Sequence, residues 1–434
     1  MERIRYLGLG EETSYNQAEP AEAVQHVDIA NASLDTPMDT ELVYAGGLGR
    51  APRTRRAGYY SPSGNFAYAF DIKTIGWLLK WALGGYAYTA GTTPATAEIS
   101  QLYLGGASGG TFVLSDGEEV TAPLAYGADA ATIETALEGL YGEGLVTVEA
   151  NGDFDITFDA TLEQSGLEAF FGELTGATLP TVTVTTPFVA LLNLHELYGT
   201  HGTELTPFTA RIGKDNLDET DFEHVISGCV ISQLVIEVSD GFAMATADII
   251  GAKDSKDTIK TIAELVLPDT YPLTFASLGI EVGEVDKSTL IKSATLTINN
   301  NADAAAGRSI GSRHSRRGLA GARDITFSMN LYYETIDELV RLWGGATGPD
   351  ADGATEFPLM LLFDAGDDGS LRVDIPKAWY TAVPIQPSGN AEIVPTLAGK
   401  CLVDTITLAD TVTDVDTEIL VSLENAQAEM VVVE

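Results

Sequence analysis

Two stretches of the chain, far apart in sequence, carry apolar residues at every second position. These positions are Phe66, Tyr68, Phe70 and Ile72 in the first stretch, and Ile325, Phe327, Met329, Leu331 and Tyr333 in the second. Because successive side chains of a strand point to opposite faces, a period of two indicates a strand with one buried face. Each stretch is therefore predicted to be a half-buried β-strand.

The period changes directly after each predicted strand. Apolar residues then recur three and four positions apart, at Ile75, Leu78, Leu79 and Ala82, and again at Ile336, Leu339, Val340 and Trp343. This spacing predicts a short helix with one apolar face, and the glycine pairs at 84–85 and 344–345 are typical helix stops. Trp77 and Trp81 lie outside that face, and we expect them to pack against a neighbour rather than bind a ligand.

The similar stretches belong to a duplication. Without a gap, residues 55–84 align with residues 316–345 at an offset of 261, which pairs Phe66 with Phe327. The strand–turn–strand segment that opens at Phe208 matches the one that opens at Phe357, at an offset of 149. The difference between 261 and 149 leaves 112 additional residues in the first copy. Two copies of one module predict a pseudo-symmetric building block, interrupted once by an insertion.

The insertion has a pattern of its own. Its sequence predicts strand, turn, strand, a helix over about 129–140, two strands around Asn151 and Gly152, a short helix near Leu167–Phe171 and a last strand at 181–186. The fold class is therefore mainly β with α+β features. We expect two tandem β-barrel or sandwich modules, each with a flanking helix, and a small inserted α+β domain. The predicted division is 1–97 and 189–265 for the first module, 98–188 for the inserted domain and 266–434 for the second module.

The charge is strongly negative. The chain has 63 acidic residues against 24 Lys and Arg, a formal net charge of −39. In dilute buffer such a charge opposes a compact fold by self-repulsion, whereas at about 1 M salt the Debye length falls to about 3 Å. A folded pattern with scarce lysine favours a protein of a salt-loving host, the alternative being an acidic protein from a low-salt host. General affinity for nucleic acid is disfavoured, because a phosphate backbone has the same sign.

A third of the basic residues lies in two equivalent segments, 44–56 and 299–317, which are predicted to be loops. They hold Arg50, Arg53, Arg55, Arg56, Arg308, Arg313, Arg316 and Arg317. We expect these loops to reach an acidic neighbouring subunit, where guanidinium groups meet carboxylates. A solvated loop and a nucleic-acid contact are the alternatives, and few aromatic residues accompany the arginines to support the second.

No catalytic or cofactor pattern is present. The five histidines show no metal-ligand spacing, and there is no nucleophile elbow, phosphate loop or dinucleotide fingerprint. The aspartates of 364–368 could hold a hard cation, but a tight turn between two strands uses the same residues and is favoured. Cys229 and Cys401 fall at non-equivalent points of the two copies, which argues against a disulfide framework. Without a signal-peptide core or a run of about 18 apolar residues, we expect a soluble protein made in the cytoplasm.

Several segments together resemble the major tail tube proteins of long-tailed viruses of bacteria and archaea. They are LGLGEETSYNQAEPAEAV at 7–24, SGNFAYAFDI at 63–72, LLKWALGG at 78–85, the run from 293 to 333 with its three asparagines and basic loop, and IPKAWYTAVPIQPSGNAEIVPTLAG at 375–399. The resemblance covers about 1–90 and 190–430. The insertion lies outside it and is similar to a small module of phage structural proteins.

The resemblance implies a structural virion protein, not an enzyme, without cofactor or metal. Family members form stacked rings whose β-hairpins join into one barrel around the channel that conducts the double-stranded DNA genome. Most carry one module and form hexamers, so three chains of this protein would supply six modules. The implied partners are further copies of the chain, the tail terminator, distal tail or baseplate proteins, and the tape measure protein and DNA in the lumen without specific binding, with no membrane. A distal tail or hub protein of the same fold and a calcium-stabilised surface adhesin are the alternatives.

Overall fold

The structure is a computed structural model of the 434-residue chain. It describes residues 3–16, 22–27, 30–44, 52–91, 98–104, 108–117, 119–151, 153–159, 162, 167–171, 181–186, 191–215, 221–267, 270–350, 353–385, 393–409 and 412–430. The chain forms two compact units, one of residues 1–90 and 193–434 and the other of residues 91–192. The fold is mainly β, as predicted, although no sheet of the described residues closes into a barrel. Within those residues, no helix is long and apolar enough to cross a membrane.

The described elements are 28 strands and three α-helices. In the larger unit they are β1 Arg3–Glu11, β2 Gln25–Val27, β3 Asn31–Asp35, β4 Met38–Tyr44, β5 Pro52–Tyr60, β6 Ser63–Ala69, α1 Ile75–Leu83 and β7 Gly84–Thr89. The smaller unit contains β8 Ile99–Tyr103, β9 Thr111–Ser115, β10 Leu124–Ala125, α2 Ala130–Tyr141, β11 Val146–Asn151, β12 Asp153–Phe158, β13 Glu168–Phe171 and β14 Thr181–Thr186. The larger unit continues with β15 Asn193–Gly199, β16 Phe208–Asp215, β17 Phe222–Val238, β18 Met244–Ile250, β19 Lys253–Asp257, β20 Leu278–Val282, β21 Ile291–Asn299, β22 Asp324–Leu331, α3 Asp337–Trp343, β23 Phe357–Asp364, β24 Ser370–Ala382, β25 Thr396–Leu402, β26 Asp404–Thr407, β27 Asp414–Thr417 and β28 Leu420–Asn425.

Eight antiparallel strands of the larger unit form a continuous run, which we call the repeat sheet. Its order is β3-β6-β18-β17-β21-β22-β25-β24. The predicted strands of the two copies, β6 and β22, both lie in it. Phe66 and Phe327 are buried on its core face, which confirms the period-two prediction.

The repeat sheet consists of two equivalent halves of four strands. Phe66 pairs with Ala247 in the first half, and Phe327 pairs with Gly399 in the second. The central contact between the halves is the pairing of β17 with β21, which places Val235 opposite Thr297.

The duplication extends beyond the repeat sheet, farther than the sequence indicates. Strand β1 pairs with β16 in the same way that β20 pairs with β23. Leu7 lies opposite Ile212 in the first pair, and Ile280 lies opposite Leu361 in the second. Since residues 212 and 361 differ by the offset of 149, β1 and β20 are equivalent strands. Their sequences are too short and too different to align by themselves.

One hydrophobic core joins both copies in the larger unit. Phe70 of the first copy packs edge-to-face on Phe363 of the second, at 5.6 Å between ring centroids. The predicted helices are present as α1 and α3, and each ends at a left-handed glycine, Gly84 at φ 84° and Gly344 at φ 73°. Trp81 is fully buried and stacks on the ring of Phe208 at 4.5 Å, so its neighbour lies within the chain.

The two cysteines are free thiols. Cys229 is buried in the core, and burial raises the pKa of its thiol well above the usual value. The acidic segment at 364–368 forms a short 3-10 turn between β23 and β24, and the Asp364 carboxylate accepts a hydrogen bond from the Gly366 amide at 2.8 Å. The favoured prediction of a turn is therefore confirmed.

The smaller unit has its own core between α2 and two sheets. Helix α2 confirms the predicted helix, begins at an Asp129 cap and buries Ile133 and Leu137. The predicted strand at 181–186 is β14. The prediction of a short helix near Leu167–Phe171 is wrong, because 168–171 pairs as β13 with β9. Backbone hydrogen bonds to that distant strand outweigh the local helical spacing of the apolar residues.

Candidate subunit-contact surfaces

The repeat sheet has one face that does not contribute to the core. Its side chains are half-buried or exposed and mostly small and polar: Asn65, Thr246, Asp248, Glu237, Thr295, Thr297, Thr326, Ser328 and Asn330. We call this surface the polar face. Its charged groups in the second half include Asp324, which forms an ion pair with Lys400 at 2.8 Å. A flat surface of hydroxyl and amide groups with a small excess of carboxylates suits hydrated contact better than packing against protein.

Both edges of the repeat sheet are open. Among the described residues, β3 pairs with β6 on one side only, and residues 379–382 of β24 pair only with β25. Unpaired backbone amides and carbonyls along such edges are ready to pair with another strand. The equivalent strands inside the chain, β21 and β17, already pair with each other, so the edges have the geometry of a repeated contact.

At one end of the repeat sheet, the chain leaves β3 and returns to β6 through the hairpin β4–β5. We call this the arginine end, marked by Ser63 and Asn299, and the opposite end at Ala69 and Val238 the turn end. The hairpin is a separate two-stranded sheet, in which Leu42 pairs with Arg55. The prediction of a loop over 44–56 is therefore wrong for Tyr44 and for 52–56, where the pairing of β4 with β5 extends the backbone. Residues 45–51 lie outside the described residues.

The second basic segment lies beside the base of this hairpin. After Asn299 the chain forms turns without strands up to Asp324, as predicted for 299–317. The guanidinium of Arg308 lies 4.7 Å from the ring centroid of Tyr59, and that of Arg313 lies 5.3 Å from the ring centroid of Tyr60. The Tyr60 amide donates a hydrogen bond to the Arg313 carbonyl at 2.9 Å. The structure thus brings the two arginine-rich segments together.

The predicted arginines differ in their surroundings. Arg55, Arg56, Arg308, Arg313, Arg316 and Arg317 have exposed side chains. The Arg317 guanidinium lies 3.2 Å from the carboxylate of Glu204, and both side chains are largely exposed. Such exposed pairs contribute about 0–1 kcal/mol. Arg50 and the side chain of Arg53 lie outside what the structure describes.

The segment at 11–16 positions the basic loop, a role that sequence analysis missed. The buried carboxylate of Glu12 accepts hydrogen bonds from the Thr209 hydroxyl at 2.6 Å and from the Gly228 amide at 2.9 Å. The neighbouring Tyr15 ring lies so close to Gly318 that an added Cβ would be 3.0 Å from its edge. Burial raises the pKa of Tyr15 to about 12. The sequence signal for this role was a glycine, two acidic residues and a tyrosine close together in a turn.

The turn end carries exposed aromatic residues, which sequence analysis also missed. The exposed fractions are 56% for Phe242, 88% for Tyr271 and 57% for Phe275. We call these three residues the aromatic rim. Backbone hydrogen bonds fix it, since the Phe275 amide donates to the Gly241 carbonyl at 3.0 Å. Beside it lies a cleft of about 310 Å³, lined by Phe275 and the exposed Asp240 among others. A phenylalanine directly after a Ser-Asp-Gly sequence, whose residue types are typical of turns, was the only sequence signal for this surface.

Most of the chain matches a known protein family. A family model described as phage tail tube protein matches residues 3–401. No curated protein is similar enough to count as a match. The matched region includes the open edges, the polar face and both arginine-rich segments.

Proposed function

Since the chain belongs to the phage tail tube protein family, we propose that three copies close into a pseudo-hexameric ring and that rings stack into the tube of a long-tailed virus. The protein is a structural component of a viral tail, and the ring, the DNA channel and the host are the proposed refinements. The observation that carries the ring is the β17–β21 contact, because it joins two equivalent four-stranded halves inside one chain.

The ring follows from repeating this contact between chains. Strand β24 is equivalent to β17, and β3 is equivalent to β21, yet among the described residues each has one open side, which in β24 runs over residues 379–382. If β24 of one chain pairs with β3 of the next, every four-stranded half makes the same contact on both sides. Closure removes both open edges of the repeat sheet, which is the physical advantage of a barrel over an open sheet.

The in-chain contact also predicts the register between chains. Val235 pairs with Thr246, and Ala382 pairs with Ala398, the equivalent of Thr246 in the second copy. In the same way, Ser33 lies opposite Asn65 as Thr297 lies opposite Thr326. Because Val235 faces Thr297, we infer that Ala382 of one chain faces Ser33 of the next.

In such a ring the polar face would line the channel. Its hydroxyl and amide groups stay hydrated, and its carboxylates Glu237 and Asp248 repel the phosphates of DNA. A basic wall would release counterions from the duplex and hold it, so a channel for sliding DNA should lack one. In this proposal DNA and the tape measure protein pass without specific binding, and terminator and distal tail proteins cap the tube.

The net charge of −39 supports assembly at high salt. Three chains per ring multiply this charge, and stacked rings repel one another unless salt screens them. We therefore propose a virus of a halophilic archaeon, whose particles assemble in a salt-rich cytoplasm.

A disulfide between chains tests the ring. Ser33→Cys combined with Ala382→Cys, in a Cys401→Ser background, should give a covalent trimer on a non-reducing gel after mild oxidation. A disulfide requires Cα atoms about 4.4–6.8 Å apart, which residues in direct register satisfy.

The matched control moves one cysteine by two residues on the same face. Asn31→Cys with Ala382→Cys would be a diagonal pair about 7–8 Å apart and should not form the covalent ring. Equal cross-linking by both pairs would contradict the register, and a ladder that continues to six chains would contradict the three-chain ring.

A distal tail or hub protein of the same fold is the second candidate. Both would form rings, but only a tube subunit stacks them without a length limit. Negative-stain images of purified protein in molar salt distinguish long rods from single rings.

A further inference from the structure

We propose that Trp379 anchors the contact between neighbouring chains of one ring, where its indole N–H donates to the Asp35 carboxylate of the next copy. This inference rests on the proposed function, because it names a side-chain bond in the contact that would close the ring. The partner is a second copy of this chain, recognised through one acceptor on its edge strand β3. The bond would give the contacts between chains a chemistry that the contact inside each chain lacks.

Trp379 differs from the rest of the polar face. Its neighbours Ala378 and Tyr380 are buried on the core face, whereas Trp379 lies opposite Lys400 on the polar face. Among the described residues of that face it is the one aromatic side chain, and it is half-buried. Tryptophan is enriched among the residues that dominate the binding energy of protein interfaces. A single indole at the edge of this sheet therefore indicates a contact beyond the edge.

The indole nitrogen indicates that this contact is incomplete in the isolated chain. Nε1 of Trp379 is buried, yet it has no hydrogen-bond acceptor among the described residues. A buried indole N–H usually has a partner, because an unpaired buried donor costs free energy. The same residue begins the open side of β24, which runs over residues 379–382. We therefore expect the acceptor on the strand that pairs with this edge.

The contact inside the chain identifies the position of that acceptor. Trp379 lies opposite Lys400 in the second copy, as Gln233 lies opposite Asp248 in the first. Trp379 and Gln233 are therefore equivalent. Inside the chain, Gln233 of β17 lies opposite Asn299 of β21. The residue equivalent to Asn299 on the next chain should thus lie opposite Trp379.

That residue is Asp35. Asn299 pairs with Asp324, and Asp35 pairs with Ser63, the equivalent of Asp324 at the offset of 261. Asp35 is exposed on the polar face, the same face on which Trp379 lies. A carboxylate is a stronger acceptor for an N–H than the amide at the equivalent internal position, because its charge assists the hydrogen bond.

The length of the two contacts explains why the one between chains needs an anchor. The internal contact pairs six residues of β17, 233–238, with six of β21. The described open side of β24 covers only four residues, and its register is interrupted between Tyr380 and Ala382. A short backbone contact gains more from one strong side-chain bond. Since its own chain covers Nε1, the Trp379 indole must turn toward the edge when the next copy arrives.

Removal of either partner tests the bond. Trp379→Phe keeps an aromatic ring without the N–H, and Asp35→Ala removes the acceptor. Each change should raise the protein concentration needed for assembly about tenfold, the loss expected for a hydrogen bond to a charged group. The double variant should be no worse than either single variant, because both changes remove the same bond. Sedimentation in molar salt measures assembly. Because Asp35 is exposed, its variant keeps the fold and tests the bond even if Trp379→Phe is unstable.

Fluorescence tests whether the indole itself turns. The chain has four tryptophans, so the spectrum of the wild type minus that of Trp379→Phe isolates Trp379. Its emission should shift to shorter wavelength on assembly, as the next copy covers the ring. The shift should be absent from Asp35→Ala assembled at higher concentration. Matched controls are Trp343→Phe in α3 and Asp367→Ala in the exposed turn before β24, which should assemble as the wild type does.

The outcomes separate this inference from the proposed function. If Asp35→Ala assembles at the wild-type concentration, or if the two effects add in the double variant, the indole does not bind Asp35 even though the chains form rings. An emission change that appears only when DNA is added to preformed tubes would place the indole in the channel and overturn the inference. If the protein with Ser33→Cys and Ala382→Cys never gives the covalent trimer, the proposed function is wrong and this inference with it.

Discussion

The two copies of the module share their strand order but differ in the layer behind the repeat sheet. In the first copy, Arg211 of β16 and Glu223 of β17 form a buried ion pair at 2.6 Å, and the Tyr6 hydroxyl donates to the same carboxylate at 2.9 Å. The equivalent positions in the second copy hold Met360 and Arg372. Arg372 there is exposed and pairs with Asp374 two residues away.

The helices also differ between the copies, since α1 of the first copy is far more buried than α3 of the second. Every residue of α1 except Lys80 is buried, and the Trp81 indole donates to the Glu11 carboxylate at 2.6 Å. In α3 only Glu338 is buried, where it accepts a hydrogen bond from the Tyr380 hydroxyl at 2.8 Å. Helix α1 is covered by the paired strands β7 and β15, which we call the stem, and by residues near Met430, whereas the described part of the chain holds no second stem for α3.

This difference shows which parts of the module tolerate change. The four-stranded halves keep the same strand order, although the register shift lies between Ile231 and Gln233 in β17 and between Tyr380 and Ala382 in β24. The proposed ring needs the shared order because every strand contact in it repeats. The outer layer makes no repeated contact, so its charged and aromatic residues could diverge. Three predictions test the comparison, from the largest expected effect to the smallest.

Removal of one partner of the buried ion pair should give the largest effect. Arg211→Ala leaves the Glu223 carboxylate buried without its cation, which typically costs about 3–5 kcal/mol. The matched change in the second copy, Met360→Ala, removes a half-exposed side chain and should cost far less. Urea unfolding monitored by tryptophan fluorescence compares the two.

A double variant sharpens this result. Arg211→Met with Glu223→Leu removes both charges and should recover most of the lost stability. If it is as unstable as Arg211→Ala, packing around Arg211 matters more than its charge, and the contrast between the copies is not electrostatic.

Replacement of the glycine that ends each helix should destabilise the second copy more than the first, the reverse of the order expected for the ion pair. Gly84→Ala forces a left-handed residue at a cost of about 1–2 kcal/mol, and its new Cβ would lie 2.8 Å from the movable Thr200 hydroxyl. Gly344→Ala adds a clash with the backbone carbonyl of Gly353 at 1.8 Å and should cost more. Thermal unfolding measures both. A Cβ added at Gly139 in α2 would have no other atom within 4 Å, so Gly139→Ala should leave the stability unchanged or raise it.

The smallest effect concerns the stem, which among the described residues only the first copy has. His195 of β15 is fully buried, and desolvation lowers its pKa below 6.5. The folded protein therefore holds it neutral while the unfolded chain takes up a proton near pH 6.5. Stability is present above that pH and falls as the pH decreases below it, by at most about 1.4 kcal/mol per pH unit for one group.

The variant His195→Gln isolates this contribution. It should flatten the fall in melting temperature between pH 7 and pH 5 relative to wild type. Buried His26 and half-buried His224 also have lowered pKa values and keep part of the fall in both proteins. An identical pH dependence of variant and wild type would exclude His195 as a source.

Sequence reasoning succeeded where a structure depends on near neighbours in the chain. The strand around Phe66, the helices α1 and α2 and the glycine caps follow from spacings of two to four residues, and the structure contains all of them. It failed at 52–56 and at 168–171, where pairing with a distant strand decides the conformation. The equivalence of β1 and β20 was hidden for the same reason, since only their partners reveal it.

By itself, the sequence determined the duplication, the mainly β class, the negative charge and the clustering of arginines, because each is a property of composition or of short-range periodicity. Only the tertiary structure decided which strand edges remain open and which residues lie at each end of the repeat sheet. It also decided that Tyr6 and Glu223, separated by 217 positions, share a buried hydrogen bond. Strand pairing is set by hydrogen bonds and burial between distant segments, and a single sequence carries no local signal for such partners.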